Sequence, residues 1–268
     1  MTELSIAACA GPGSQSGTGT FEPPPSGSWA LFEALGPWVL VAFVVAVVAR
    51  AVWRRRRYLA VAVLDDAAQA AVRDAVAAAE RRTVGEIVPV VVERSDAHPG
   101  ACWLTAITAL LLGSTLLEGV LPWGDPLWLL PCQLGLAAIG YGLARLLPDL
   151  QRSFVSEGRA TAVVEEQAFQ EFFREGLHKT AAATGVLIFV SLLERRVVVL
   201  GDEGIAAHLP GEFWGDVREA ILDGVRRGSL RDGLVEGIRR TGEALAAHAP
   251  WLEGDRDEVP NRVVVRRE

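Results

Sequence analysis

Lysine is almost missing from this sequence: Lys179 is the only one, and arginine supplies the rest of the 26 basic side chains. The 33 acidic residues outnumber them and leave a net charge of −7. That balance excludes nucleic acid as a main partner, because binding it needs a basic face to neutralise phosphates. Cysteine is also sparse. Cys9, Cys102 and Cys132 lie far apart without metal-ligand spacing, which excludes a disulfide framework and a cysteine-built zinc site. Two of them fall inside apolar runs, where a free thiol acts as a small hydrophobe. No Ser-x-x-Lys, Gly-x-Ser-x-Gly or His-Glu-x-x-His pattern occurs. Gly201 to Gly204 lacks both the Gly-x-Gly-x-x-Gly spacing and the Lys-Ser/Thr ending of nucleotide loops.

Apolar sequence is what the chain has in excess. Half of its 268 residues are hydrophobic. A bilayer core of about 30 Å takes roughly 20 apolar residues in a helix. Three runs meet or approach that length: residues 29–53, 101–121 and 127–147. Trp29, Trp53, Trp103, Trp123 and Trp128 lie near their ends, where an amphipathic ring favours the headgroup region. The arginines set an orientation. Residues 1–49 carry no basic side chain, whereas Arg50 and Arg54 to Arg57 close the first run. The stretch from Glu118 to Pro126 is free of positive charge, and Arg152 and Arg159 follow the third run. The expected topology is a multi-pass inner-membrane protein with its N-terminus outside and its C-terminus cytoplasmic. The spans lack the buried acids or histidines that mark a transport path.

The first 28 residues, rich in Gly, Ser, Thr and Pro, read as a disordered tail. Ile6-Ala7-Ala8-Cys9 resembles a lipoprotein cleavage box, but no basic residue precedes it and its apolar segment is short.

The remaining sequence reads as one small α/β domain in two pieces, 58–97 and 150–250, split by the apolar hairpin. Asp65 is placed to cap a helix with Ala68, Val72, Val76 and Ala79 on one face. Glu86 to Glu93 reads as a strand, and Pro89 within it suggests an edge or a bulge. Residues 158–184 read as mainly helical, with Val163, Val164, Phe169, Phe172 and Phe173 supplying apolar surface. Residues 185–193 and 197–200 read as strands joined tightly at Glu194-Arg195-Arg196. Two helices close the domain. One presents Trp214, Val217, Ile221 and Val225. The other presents Leu230, Leu234, Ile238 and Leu245 behind a Ser229–Asp232 capping box, with Gly228 as the break between them. Residues 251–268 read as a tail. Neither piece can bury a core alone, so both must lie on one side of the membrane, as a two-helix hairpin allows.

Read in order, several short stretches resemble the TPM domain family: Thr83-Val84-Gly85-Glu86-Ile87-Val88, Thr184-Gly185-Val186-Leu187-Ile188, Glu194-Arg195-Arg196-Val197, Asp202-Glu203-Gly204-Ile205 and 228–234. The resemblance covers about 60–93 and 165–250. It is closer still to a bacterial group of membrane proteins whose TPM domain is interrupted by a transmembrane hairpin, through Gly176 to Thr180 and Glu258 to Arg262. It implies a compact α/β sandwich with a small sheet. It also implies either weak acid phosphatase activity with acidic metal-binding loops, as in some plant members, or an accessory role in assembly or repair of membrane complexes. The plant Trp-Gly-Ile-Gly-like segment is absent; His178-Lys179-Thr180 stands nearby.

Asp202 and Glu203, at a strand end between glycines, could give oxygen ligands to calcium or magnesium, and Asp65 and Asp66 are candidates to join them. His178 is a candidate base or phosphate contact, set against a partly buried structural histidine. Arg195 and Arg196 are candidate anion or lipid contacts, and Glu86 is a further polar candidate. The expected function is a membrane-anchored, non-enzymatic accessory or interaction module that needs no cofactor. Its partners are the lipid bilayer and, as a candidate, another membrane protein. The alternative is a divalent-metal-dependent phosphatase or other hydrolase at Asp202–Glu203.

Overall fold

A computed structural model describes residues 58–118, 126–253 and 258–266, together with Ala42, Ala46, Ala49, Arg50 and Trp53. The expected N-terminal tail and most of the first apolar run lie outside the described residues. Ala49–Glu268 forms one unit; Met1–Val48 forms another, of which only Ala42 and Ala46, both helical, are described.

Helix α1 (Asp66–Glu80) starts where a short acid can satisfy one of the free amides of its first turn: Asp65 Oδ1 accepts from the Ala68 N–H at 2.8 Å. Its buried face is Ala68, Val72, Val76 and Ala79. The chain then enters strand β1 (Ile87–Val92), leaves through helices α2 (Pro99–Glu118) and α3 (Pro126–Leu146), and returns through α4 (Pro148–Ser153) and α5 (Glu157–Arg174). Strands β2 (Val186–Ser191) and β3 (Arg196–Gly201) form an antiparallel hairpin. Helices α6 (Gly211–Arg226) and α7 (Leu230–His248) and a short strand β4 (Val264–Arg266) complete the domain. The four strands make one sheet in the order β3-β2-β1-β4, with β1 parallel to both neighbours.

Both faces of the sheet are covered, as expected of strands with few polar positions. Ile87, Val91, Ile188 and Val190 face α1, α6 and α7; Val88, Val90, Leu187 and Phe189 face α5. Successive residues alternate between these layers because strand side chains have a period of two. Helices α6 and α7 cross closely. A Cβ on Gly233 would fall 2.4 Å from the Ile221 carbonyl oxygen, where backbone cannot move aside. Gly233→Ala is therefore expected to lower the unfolding free energy by about 1–3 kcal/mol, read from denaturant midpoints.

Three expectations need correction. Pro89 does not mark an edge, since β1 pairs on both sides. The backbone of β1 points alternately to its neighbours: Glu86 and Val92 carbonyls accept from β2-side amides, whereas the Glu93 amide donates to Arg266. By that alternation Pro89 faces the β4 side, where β4 reaches only Val90 to Val92. Its missing N–H falls in the uncovered part, and the Ile87 N–H on the same side is taken by Glu80 Oε1 at 3.0 Å. The second correction is β4 itself. Residues 251–268 are not simply a tail, because Val264 is buried in the sheet and Val259 beneath it. Third, Phe169 and Phe173 point outward, 59% and 46% exposed, as does Val225; of the three phenylalanines on α5 only Phe172 is buried.

Helices α2 and α3 pack on each other through small residues. A Cβ on Gly140 would lie 2.5 Å from Ala109 Cβ. Their other sides expose Trp103, Leu104, Ile107, Leu111, Leu130 and Leu134, among others. Among the described residues one helix is long and apolar enough to cross a membrane, over Leu129–Leu146; the apolar part of α2, Pro99–Thr115, is shorter.

Candidate functional site

Strands β1 and β2 are parallel, so their carboxyl ends share an edge, and ligands of open α/β sheets bind beyond that edge. Three connections converge there: the loop from β1 into α2, the return through α4, and the β2–β3 turn. Polar side chains join them. His98, the residue before α2, and Glu194, in the turn, are 4% and 3% exposed, and His98 Nε2 lies 2.6 Å from Glu194 Oε1. The Ser95 amide donates to both Glu194 carboxylate oxygens at 3.2 Å, and the Ser191 hydroxyl donates to Oε2. On the other side of the ring, Asp96 Oδ2 lies 3.6 Å from His98 Nδ1 and accepts from Arg159 at 2.9 Å. Arg152 donates to the carbonyls of Leu193 and Glu194 at 3.3 and 3.0 Å, and Gln151 donates to the Ala97 carbonyl at 2.7 Å. His98 and Arg195 adopt positive φ, +46° and +55°, which persists only where surrounding contacts over-determine it.

Burial alone would push the Glu194 carboxyl up. The hydrogen bonds from His98, Ser191 and the Ser95 amide outweigh burial and hold it below its ordinary range. Asp96 behaves alike, with burial outweighed by the Arg159 hydrogen bond and the charges of His98 and Arg159. Chemically the cluster is a bolt. The Ser191 hydroxyl donates its hydrogen bond to Glu194 rather than to the imidazole, so the two do not form a serine–histidine nucleophile pair. The space beside His98 and Glu194 is about 10 Å³, too little for a substrate.

The expected site residues are scattered. Arg195 lies at this edge, 3.1 Å from Asp149 and 2.5 Å from the Tyr58 hydroxyl, and Arg196 pairs with Glu157. Asp202 and Glu203 lie at the opposite edge, where the Asp202 amide donates to Gly185 at the start of β2. Asp202 Oδ1 accepts from the Glu203 amide at 2.8 Å and caps a one-turn helix, Glu203–Ala206. Asp65 and Asp66 do not join them. The one-turn helix Ala60–Val63 that leads into α1 is tied to Glu93 at the carboxyl edge, and Asp65 is spent capping α1. Among the described residues no three His, Cys, Asp or Glu side chains gather to hold a metal ion. His178 is not a buried structural histidine; it is exposed, its ring 4.7 Å from Phe173. Glu86 is buried and accepts from the Glu258 amide at 2.9 Å, anchoring the segment that leads to β4.

Sequence reasoning missed His98, Asp96, Ser191 and Arg152, and read Glu194 only as a turn residue. The one local signal was the polar run Arg94 to His98 wedged between a strand and an apolar helix.

Residues 147–244 match the family model described as the TPM domain, a stretch running from the start of α4 into α7. The NMR structure of the BA42 protein from the psychrophilic bacterium Bizionia argentinensis is similar at 23% identity, over 76% of this chain and 95% of that one, with a TM-score of 0.47. No curated protein matches. The chain carries a TPM domain.

Proposed function

We propose that this chain is a membrane-anchored TPM-domain protein, a non-enzymatic accessory or interaction module held at the cytoplasmic face by the α2–α3 hairpin. The observation that carries this reading is the apolar exterior of the hairpin. Trp103, Leu104, Ile107, Leu111, Leu130 and Leu134 face outward, more than a soluble monomer ordinarily leaves to water. The contact between the helices uses Gly113, Gly140 and Ala109, the small residues that let helices approach in lipid. Arg145 stands at the domain end of α3, while the loop after α2 has no basic residue.

Cysteine labelling tests the arrangement. In a chain whose native cysteines are replaced by alanine, Asp125→Cys is expected to react with an impermeant maleimide in spheroplasts. Arg227→Cys is expected to react only after lysis. Equal labelling of both, or release of the protein by carbonate washing, would sink the membrane reading. Phosphate-ester turnover abolished by Asp202→Asn would instead favour the divalent-metal-dependent hydrolase.

A further inference from the structure

We propose that the cleft beside the β2–β3 turn binds one anionic phospholipid, its phosphate on Arg195 and Arg226 and part of an acyl chain on the cleft floor. This rests on the membrane-anchored reading. The cleft measures about 610 Å³ and opens between the turn, the one-turn helix Ala60–Val63 and α6, a volume within the range of small-molecule sites. Its lining has two parts. Val63, Val197, Leu222 and Leu230 form an apolar floor, and Arg195, Arg196 and Arg226 stand around it. Arg195 and Arg226 are 58% and 63% exposed, so both can swing toward a ligand.

Chain connectivity places this cleft at the root of the hairpin. Arg195 contacts Asp149, in the helix directly after α3. The adjacent Glu194 holds His98, which directly precedes α2. A bilayer crossed by the hairpin would bring its headgroups to the level of the arginines. Arg195 is held by Asp149 and the Tyr58 hydroxyl, and Arg226 by Asp223 and Glu219; the three acids are 42%, 54% and 50% exposed. Exposed ion pairs of this kind hold their partners weakly, whereas a phosphate offers guanidinium groups bidentate, charge-assisted bonds. Free phosphate would use the arginines and leave the floor empty; a phospholipid uses both.

The test uses the full chain in neutral detergent, titrated with phosphatidylglycerol bearing a fluorescent tail. One saturable site is expected, displaced by unlabelled phosphatidylglycerol but not by phosphatidylcholine or by millimolar glycerol 3-phosphate. The Arg195→Gln, Arg226→Gln double variant should weaken it at least about tenfold, the scale of losing a hydrogen bond to a charged group. Asp149→Asn separates ligand from scaffold. It frees Arg195 and should tighten binding, whereas weakening equal to that of Arg195→Gln would make the arginine structural and overturn the proposal. Unchanged binding in the double variant, or equal displacement by phosphatidylcholine or glycerol 3-phosphate, overturns it too. The labelling experiment judges the anchor separately: correct labelling without a phosphatidylglycerol site removes only the lipid proposal.

Discussion

Replacing Glu194 with leucine is expected to lower the unfolding free energy by about 3–5 kcal/mol, the usual cost of breaking a buried pair from one side. The substitution leaves His98 without its 2.6 Å partner and strips acceptors from the Ser95 amide and the Ser191 hydroxyl, all at a buried junction. Denaturant unfolding of the detergent-purified protein reads the effect. A change under about 1 kcal/mol, the scale of an exposed pair, would show that the cluster is not a structural bolt. Glu194→Gln, which keeps the shape, brings out the pH dependence. Because the folded carboxyl sits below its ordinary value of 4.5, its contribution is complete above that value. It disappears as pH falls from there through the lower folded value. The gap in stability between wild type and Glu194→Gln should therefore be widest near neutrality and close in acid. A gap that widened below pH 4.5 would contradict the assigned direction.

Phe189→Ala is expected to cost about 3–5 kcal/mol, and Phe169→Ala to change stability by less than about 0.5 kcal/mol. Phe189 lies on the middle of β2 with no exposed surface, between β1 and β3 and under α5. Its removal leaves a cavity that the strands on either side cannot collapse around. Phe169 is 59% exposed, and among the described residues its ring meets that of Phe173. Equal midpoints for the two variants in thermal or denaturant unfolding would refute the layer assignment.

Those two phenylalanines also show where the sequence was readable. Phe189 sits in an unbroken apolar run, and such a run announces a strand buried on both faces. The phenylalanines of α5 follow helical spacing, but Phe169 and Phe173 fall outside the arc that meets the sheet, and composition cannot say how wide that arc is. Local signals also located α1 and α7, whose starts are marked by a cap or a glycine break, and α6 by its periodic face alone. Strand β4 was passed over because the β-branched run Val263 to Val265 is too short to announce a strand by itself and takes its place through pairing with Val90 to Val92. The polar cluster was hidden for a similar reason: His98 and Glu194 are 96 residues apart, and nothing near either one refers to the other. Arg195 and Arg196 read as candidate anion or lipid contacts, and nothing local pointed to Tyr58, Asp149 and Glu157, which reach them from other elements.

The insertion of the hairpin between two adjacent parallel strands has a consequence during synthesis. Ile87 pairs with Val186, so at about 5–20 residues per second β1 emerges roughly 5–20 s before its neighbour exists. For that interval Ile-Val-Pro-Val-Val-Val is an unpaired, uncharged β-forming segment, the kind that recruits copies of itself. Pro89 interrupts it where the finished sheet has no amide to miss, which makes it a gatekeeper against self-association of the nascent chain.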